Sequence, residues 1–378
     1  MKVLFLIHDL GQGGAEKVLV NLVNNMNSTK FDITVVSLFG GGINEQFLSS
    51  NIRYYSVFQK AIPGNSKIMK LFSPRILHKI CVRERYDIEV SYLEGPSARI
   101  ISGCRNQTTK LVSWIHVEQH TIKKLSSAFR NKKEAKKCYE QFDQTICVSE
   151  NVKQDFCKLL QFKRTCQVLY NTVESDKILK LSKEIAEEII KDDKKNLIAV
   201  GTLKESKGYL RMLNILKKLK KENYKFRLYI LGIGPQQKII ENYIRDSNLD
   251  DTVILLGYHT NPYKYISKCD LFVCASYAEG FSTAVTEALI VGTPVCTVEV
   301  SGMKELLGSK NEYGIVTENS EKALYNGIKG LLDNDTKLSF YRKKAKIRGQ
   351  MFCTEKTIQA VEDMFYKLME EKNEKFTL

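Results

Sequence analysis

Glu279 and Glu287 stand eight residues apart, with Gly280, Phe281, Ser282 and Thr283 between them. The stretch before them, 271–275, reads as a short apolar strand, and the stretch after them takes on helical periodicity. A strand-to-helix junction of this kind aims free backbone N–H groups, here those of Ser282, Thr283 and Ala284, at an anion, with the helix dipole behind them. Glu279 then lies on the loop at the strand's C-terminal edge. Glu287 lies about one turn, roughly 6 Å, inside the helix. Taken singly, Glu287 has a plainer minority reading as a surface acid that satisfies the dipole. A second glycine-bearing junction opens the chain, where a strand over 3–7 runs into Asp9, Gly11, Gly13, Gly14 and Glu16 ahead of a helical pattern. Such glycines let the backbone approach a ligand or simply make a turn. The dinucleotide fingerprint is not met, because the third glycine is missing at its spacing and the next strand ends in Ser37 and Leu38 rather than an acid.

Other chemically capable groups have plainer readings. His116 and His120 are four apart, but the motif is not H-E-x-x-H and His116 ends a strand, so no metal site is expected. Asp333-Asn334-Asp335 is formally a D-x-D, yet it follows an amphipathic helix and reads as a turn. Gly40 to Gly42 read as a loop, and Asn171 as a hinge or turn residue.

The elements that must position these groups alternate along almost the whole chain. Candidate strands fall at 3–7, 33–38, 53–57, 88–91, 110–115, 145–148 and 167–170. A lysine-rich polar segment follows over 177–195, and strands resume at 197–200, 227–231, 253–256, 271–275 and 294–298. Near-continuous apolar strands imply burial on both faces, as in parallel sheets wrapped by helices. A chain of 378 residues exceeds what one core usually organises. The expectation is therefore α/β, two doubly wound domains with a boundary near residue 175, closed by helices over 321–332, 336–351 and 355–371.

Composition narrows the function classes. The net charge of +15 attracts phosphates of any kind, whether in nucleic acid, lipid or nucleotide. No helix-turn-helix and no basic-aromatic sheet face is found, which argues against nucleic acid. Ten cysteines without a CxxC pair read as free thiols in a reducing compartment. The apolar run at the N-terminus is too short for a signal peptide or a membrane span, so a cytoplasmic location is expected.

The order and spacing of the motifs resemble the retaining family 4 glycosyltransferases of the GT-B fold. The resemblance spans nearly the entire chain. It rests on the Gly-x-Gly-Gly-Ala-Glu loop, Trp114-Ile115-His116, Cys147-Val148-Ser149, Tyr170-Asn171, Gly201-Thr202-Leu203-Lys204 through Lys207-Gly208, Gly232-Ile233-Gly234, Gly257-Tyr258, and Glu279 to Glu287 followed by Gly292-Thr293-Pro294. It implies an N-terminal acceptor-binding domain over 1–174 and a nucleotide-sugar-binding domain over 175–350. A terminal helix over 351–378 would cross back to the first domain, and the two Rossmann-like domains would face each other across a cleft. By the resemblance, Lys207 binds the donor diphosphate, Glu279 positions the transferred sugar and Glu287 holds the ribose hydroxyls. The backbone from Gly280 through Phe281 and Ser282 to Thr283 holds sugar hydroxyls and phosphate, and Tyr258 holds the base through its backbone. Gly232 belongs to the same donor site. Gly11, Gly13 and Gly14 approach the diphosphate and acceptor, and His116 reaches the sugar or acceptor face. One departure stands out: the family's usual Arg is Thr202 here, so Lys204 or Lys207 must carry the cationic clamp.

The implied reaction retains anomeric configuration, uses a nucleotide-sugar (UDP-linked), needs no metal cofactor and takes a saccharide acceptor, lipid-linked in surface polysaccharide synthesis. With no convincing nucleophile beside the sugar, a same-face substitution is favoured over double displacement. A nucleotide-sugar epimerase of the same fold and a non-catalytic sugar-nucleotide-binding module are the alternatives. Finally, Ile122, Leu125, Ala128, Phe129, Ala135, Cys138, Tyr139 and Phe142 recur at helical spacing. Lys123, Lys124, Arg130, Lys133, Lys136 and Lys137 fall mostly off this stripe while Lys132 interrupts it, as on a helix packed on the domain with a basic face for solvent or an anionic membrane surface.

Overall fold

The structure is a computed structural model that describes residues 1–11, 13–60, 65–161 and 166–375. Its internal contacts divide the chain into two units, Met1–Val173 with Thr354–Leu378, and Glu174–Cys353.

The first unit holds β1 (Lys2–Ile7), α1 (Gly14–Asn25), β2 (Asp32–Phe39), β3 (Arg53–Phe58), α2 (Asn65–Leu71), α3 (Pro74–Cys81), β4 (Ile88–Ser91) and α4 (Pro96–Ile101). It continues with β5 (Lys110–Ile115), α5 (Ile122–Leu125), α6 (Lys132–Tyr139), β6 (Gln144–Cys147), α7 (Glu150–Leu160) and β7 (Cys166–Val168). Its sheet has the order β3-β2-β1-β4-β5-β6-β7, and every neighbouring pair is parallel. Val3 to Ile7 are wholly buried, as the apolar run demands of a central strand covered on both faces.

The second unit holds α8 (Ser175–Leu181), β8 (Lys195–Val200), α9 (Tyr209–Lys221), β9 (Phe226–Leu231), α10 (Gln237–Asp246), β10 (Val253–Gly257), α11 (Tyr263–Lys268) and β11 (Leu271–Cys274). It ends with α12 (Thr283–Val291), β12 (Val295–Val298), α13 (Met303–Leu307), β13 (Ile315–Thr317), α14 (Glu321–Leu332) and α15 (Asp335–Gly349). The sheet order is β10-β9-β8-β11-β12-β13, again parallel. Both sheets are thus doubly wound. The strand order reverses between β1 and β4 in the first unit and between β8 and β11 in the second.

Three sequence expectations are corrected. The polar segment over 177–195 begins inside α8, whose Ile178 is buried while its lysines stay in solvent. The stripe over 122–142 is not one helix: α5 and α6 are separate, and Asn131 caps the second by accepting from Glu134 N. Six of its apolar members, Leu125, Phe129, Ala135, Cys138, Tyr139 and Phe142, are buried all the same. β13 was not anticipated, because three residues are too few to show a periodicity.

The last helix, α16 (Thr354–Lys375), starts after a 3₁₀ turn over Gln350–Phe352 and packs on the first unit. Phe365 is fully buried, with its ring centroid 6.2 Å from that of Phe5 and 6.1 Å from that of Phe31. Glu362 accepts from Asn27 N at 2.8 Å. Phe365→Ala should destabilise this unit by about 3–5 kcal/mol. The chain's single tryptophan, Trp114, is buried in the same unit, so its fluorescence in a denaturant titration reads that loss. An unchanged midpoint would mean that α16 does not contribute to this core.

Candidate functional site

In the second unit the chemistry gathers where the strand order reverses, the place at which loops leave adjacent parallel strands in opposite directions and open a crevice. A 3₁₀ turn over Glu205–Lys207 follows β8 and ends at Gly208. Gly208 has φ +66°, and a Cβ there would lie 2.0 Å from the carbonyl oxygen of Ala275. Only glycine lets this turn rest on the end of β11. As a result Lys207 Nζ lies 2.6 Å from Glu279 Oε1, and Ser276 Oγ donates to the same oxygen at 2.6 Å. Burial pulls the Lys207 ammonium down, but Glu279 and the nearby Cys274 outweigh it and leave its pKa above the usual lysine range. Lys207, Ser276, Glu279, Ser282 and Ala284 all line one open cleft.

α12 supplies the rest. Ser282 caps it, its Oγ accepting from Val285 N at 3.4 Å. Among the described residues the amides of Ser282, Thr283 and Ala284 have no acceptor, so all three N–H groups expected to face an anion stand at this helix start. The Phe281 ring turns inward onto Phe352, at 6.0 Å between centroids. Glu287 is buried in α12, at 4% exposure. It is therefore not the dipole-satisfying surface acid that its position alone allows.

The remaining residues of this group do not meet Glu279. Thr202 sits after β8 and accepts from Lys204 N through its backbone, while the Lys204 side chain is exposed. The cation that pairs with Glu279 is Lys207. At Gly232, φ +145°, a Cβ would lie 2.0 Å from Gly201 O, so this glycine keeps the ends of β8 and β9 in close approach. Tyr258 follows β10 with its ring about half exposed.

Sequence reasoning missed Arg211. From α9 its Nη1 donates to Asn319 Oδ1 at 2.7 Å, and its Nη2 donates to the carbonyls of Ala275 and Ser276. The guanidinium lies 4.2 Å from the Tyr277 ring centroid. A buried arginine thus ties down the loop that carries Glu279. The signal available was a cation in the first turn of α9, the end of a helix whose dipole disfavours one, while the helix's lysines gather at its other end.

In the first unit the expected loop follows β1. Asp9 is held below the usual carboxylate range chiefly by its hydrogen bond with His8, and its Oδ1 accepts from Gly11 N at 2.8 Å. Asn44 donates to Gly11 O. Gly13 caps α1 and Gly14 begins it, while Gln12 lies outside the described residues. His116 follows β5 directly and is buried, with its ring 4.9 Å from that of Tyr92. Burial lowers its pKa to about 3, so the imidazole is neutral in ordinary buffers. Its Nε2 has no partner among the described residues. Glu94, also missed, follows β4 at this unit's own strand-order reversal. It accepts from His116 N at 3.1 Å and Gln119 Nε2 at 3.1 Å, and burial raises its pKa.

His120 is exposed with φ +58° and does not join His116 in a metal pair. Asp333 ends α14 and Asn334 caps α15, so the D-x-D is a turn between helices. Among the described residues, His78, Glu89 and Cys104 form the one group with ligating atoms within 4.8 Å of each other. Its imidazole and carboxylate already close on each other at 2.7 Å.

Arg211→Ala should leave two loop carbonyls without their donor, a cost of about 1–3 kcal/mol. The expected result is faster amide hydrogen exchange over residues 276–281 with a lowered thermal midpoint. Arg211→Lys, which keeps the charge but loses the planar fork, should recover less than half of it. Unchanged exchange in the alanine variant would remove Arg211 from the loop's support.

Two family descriptions match the chain in tandem: Glycosyltransferase Family 4 over residues 12–177 and Glycosyl transferases group 1 over residues 182–348. The chain is 28% identical over 362 residues, 93% of its length and 95% of the relative's, to N-acetylgalactosamine-N,N'-diacetylbacillosaminyl-diphospho-undecaprenol 4-alpha-N-acetylgalactosaminyltransferase of Campylobacter jejuni. It is 21% identical to an uncharacterized glycosyltransferase of Haemophilus influenzae, covering 95% of this chain and 98% of that one. Among solved structures it resembles Anabaena HepE in complex with UDP and glucose, with TM-score 0.77, 18% identity, and 97% and 99% of the two chains covered. With two doubly wound units and both halves matched in order, the chain belongs to the GT-B glycosyltransferases, a family 4 unit followed by a group 1 unit.

Proposed function

We propose that the chain transfers a sugar, with retention, from a UDP-linked donor to a lipid-linked saccharide in surface polysaccharide or glycan synthesis at the cytoplasmic face of a membrane. The observation that carries the donor assignment is the meeting of Lys207, Glu279 and Ser276 at the β8–β11 reversal. UDP enters this reading because HepE was solved with UDP and glucose, and the lipid-linked acceptor because the Campylobacter relative is named for a diphospho-undecaprenol substrate.

In this reading the diphosphate takes Lys207 and the amides of Thr283 and Ala284. Glu279 is released from its ion pair to accept sugar hydroxyls, and Glu287 holds the ribose. As the glycosidic bond breaks, negative charge grows on the departing diphosphate, where preorganised donors act without reorganising. Positive charge grows on the sugar. His116, neutral and with an unused Nε2, serves as a hydrogen-bond partner for sugar or acceptor rather than as an acid. Gly11, Gly13 and Gly14 line the acceptor and diphosphate side. Thr202 leaves the clamp with one cation, Lys207, since Lys204 is turned to solvent. Residues 1–174 then serve the acceptor and 175–350 the donor. No metal is required, because cation and amides take its place.

A panel of nucleotide-sugars should include a UDP-sugar that raises the thermal midpoint, since a ligand bound only by the native state stabilises it. NMR of the product should show the donor's anomeric configuration kept; inversion would sink the reading. With that donor, Glu279→Gln and Lys207→Ala should each lower kcat by on the order of 10²–10³. Glu287→Gln should mainly raise the donor KM, and Lys204→Ala should do little; a Lys204 variant as damaged as the Lys207 one would mean the clamp is misassigned. Transfer should persist in excess chelator, and loss restored by Mg²⁺ or Mn²⁺ would contradict the metal-free reading.

A further inference from the structure

Among the described residues of the first unit, five of the nine large apolar side chains that stay in water lie close together in sequence. Ile68, Leu71, Phe72, Ile76 and Ile80, all on α2, α3 and the corner between them, are 51, 76, 41, 46 and 49% exposed. Isolated exposed apolar residues are ordinary, but five within thirteen residues form a patch, and patches mark contact sites. α3 shows that the exposure is patterned. Leu77 and Cys81 face the core, while Ile76 and Ile80, one helical turn apart, face out. Arg75 and Lys79 form a parallel exposed row beside them. From residue 60 to residue 83 the chain carries Lys60, Lys67, Lys70, Arg75, Lys79 and Arg83 and no Asp or Glu.

The corner is held firmly in this outward pose. Arg99, itself 1% exposed, donates to Met69 O and Phe72 O, both at 2.8 Å, and is anchored by Glu134 at 3.0 Å. Arg130 donates to Lys70 O at 2.6 Å and Leu71 O at 2.8 Å. Ser73 caps α3 by accepting from Ile76 N, and Pro74 occupies its first turn. Four successive carbonyls at the end of α2, normally left to water, are thus satisfied from the protein side. That arrangement is unnecessary for a corner in solvent, where water would bind those oxygens. It suits one that enters a medium poor in hydrogen-bond donors. The same contacts tie in α6 through Glu134, and α6 presents Lys132, Lys133, Lys136 and Lys137 to solvent.

We infer that the α2–α3 corner is a membrane-docking surface whose occupant is a bilayer bearing anionic headgroups, with Leu71, Phe72, Ile76 and Ile80 inserting at the headgroup–acyl boundary and the surrounding lysines and arginines meeting the headgroups. The inference rests on the reading of the acceptor as lipid-linked. An apolar face flanked by cations, with no acid between them, is the composition of an interfacial element rather than a spanning one. No helix among the described residues is long and apolar enough to cross a membrane. Charge complementarity selects the anionic bilayer, because a protein partner would need a matching acidic apolar surface, whereas anionic lipids supply both features at once. This moves the principal contact from the α5–α6 stripe, whose apolar side is turned inward, to the corner beside it.

The test is flotation of the full chain with vesicles of phosphatidylcholine and phosphatidylglycerol, or of phosphatidylcholine alone, at low and high salt. The wild type should float with the anionic vesicles. The combined variant Leu71→Ser, Phe72→Ser, Ile76→Ser and Ile80→Ser should partition about tenfold or more weakly at either salt, as loss of apolar burial requires. Lys132, Lys133, Lys136 and Lys137 changed together to Gln should lose only the salt-sensitive part. Tryptophan at Leu71 should shift its emission to the blue on adding anionic vesicles, and tryptophan at Ile347, exposed in the second unit, should not. Transfer to a water-soluble acceptor should be unchanged in the serine variant, which shows that it is folded. A serine variant that floats like the wild type, or an unshifted Leu71→Trp on floating protein, overturns the corner while leaving the lipid-linked reading standing. A wild type that floats with no vesicle overturns the corner; transfer to a lipid-linked acceptor, assayed in detergent, then decides that reading separately. Lipid-free self-association abolished by the serine substitutions would make the patch a protein interface and also overturn the inference.

Discussion

The ion pair between Lys207 and Glu279 is the constraint on which the second unit's site depends. Both groups are largely withdrawn from water, and a partly buried charge is tolerated only with a close partner and further hydrogen bonds. Ser276 provides one such bond to Glu279. The pair can form because two loops leave adjacent strands at the reversal of strand order, and because Gly208 lets one rest on the other. Arg211 then holds the Glu279 loop from beneath through Ala275 and Ser276. A polar site on an apolar sheet is thereby kept in one geometry before any ligand arrives, which is the condition for electrostatic stabilisation without reorganisation.

The same arrangement has a consequence for how a donor would bind. A diphosphate arriving at Lys207 competes with Glu279 for the ammonium, and a sugar hydroxyl competes with Lys207 and Ser276 for the carboxylate. Exchange of one ion pair for two charge-assisted contacts keeps the buried charges matched throughout. The cleft is therefore charged yet nearly self-neutral when empty. Where the family's usual arginine is replaced by Thr202, the cation lining the cleft is Lys207.

The first unit repeats the topology with different chemistry. Its reversal between β1 and β4 carries a glycine loop braced by Asp9 and Asn44 on one side and Glu94 on the other. His116, pressed against Tyr92 and kept neutral by burial, and Glu94, whose proton affinity is raised by burial, have no counterpart in the ion-paired second unit. On the same unit the α2–α3 corner spends two arginines on four backbone carbonyls, so that its apolar side chains face outward on a rigid support.

Much of this was legible in the residues. The apolar strands could only be central strands of parallel sheets, because their near-continuous hydrophobicity leaves no face for water. The junction from Glu279 to Glu287 was legible as a helix start with unpaired amides, because a strand entering a helix through glycine, serine and threonine exposes amides whatever surrounds it. Tertiary structure decided which groups meet. Lys207 and Glu279 are 72 residues apart, and nothing local distinguishes Lys207 from Lys204 until Gly208 folds the turn onto β11. Arg211 looked like one more cation on a lysine-rich helix, and Glu94 like a loop acid, because both act through carbonyls and amides from distant segments. The periodic stripe over 122–142 correctly marked inward residues but could not show the break at Asn131, since a cap competes with helix continuation by a single side-chain bond. Periodicity reports the side a residue faces; which distant groups it faces is set only when the chain closes on itself.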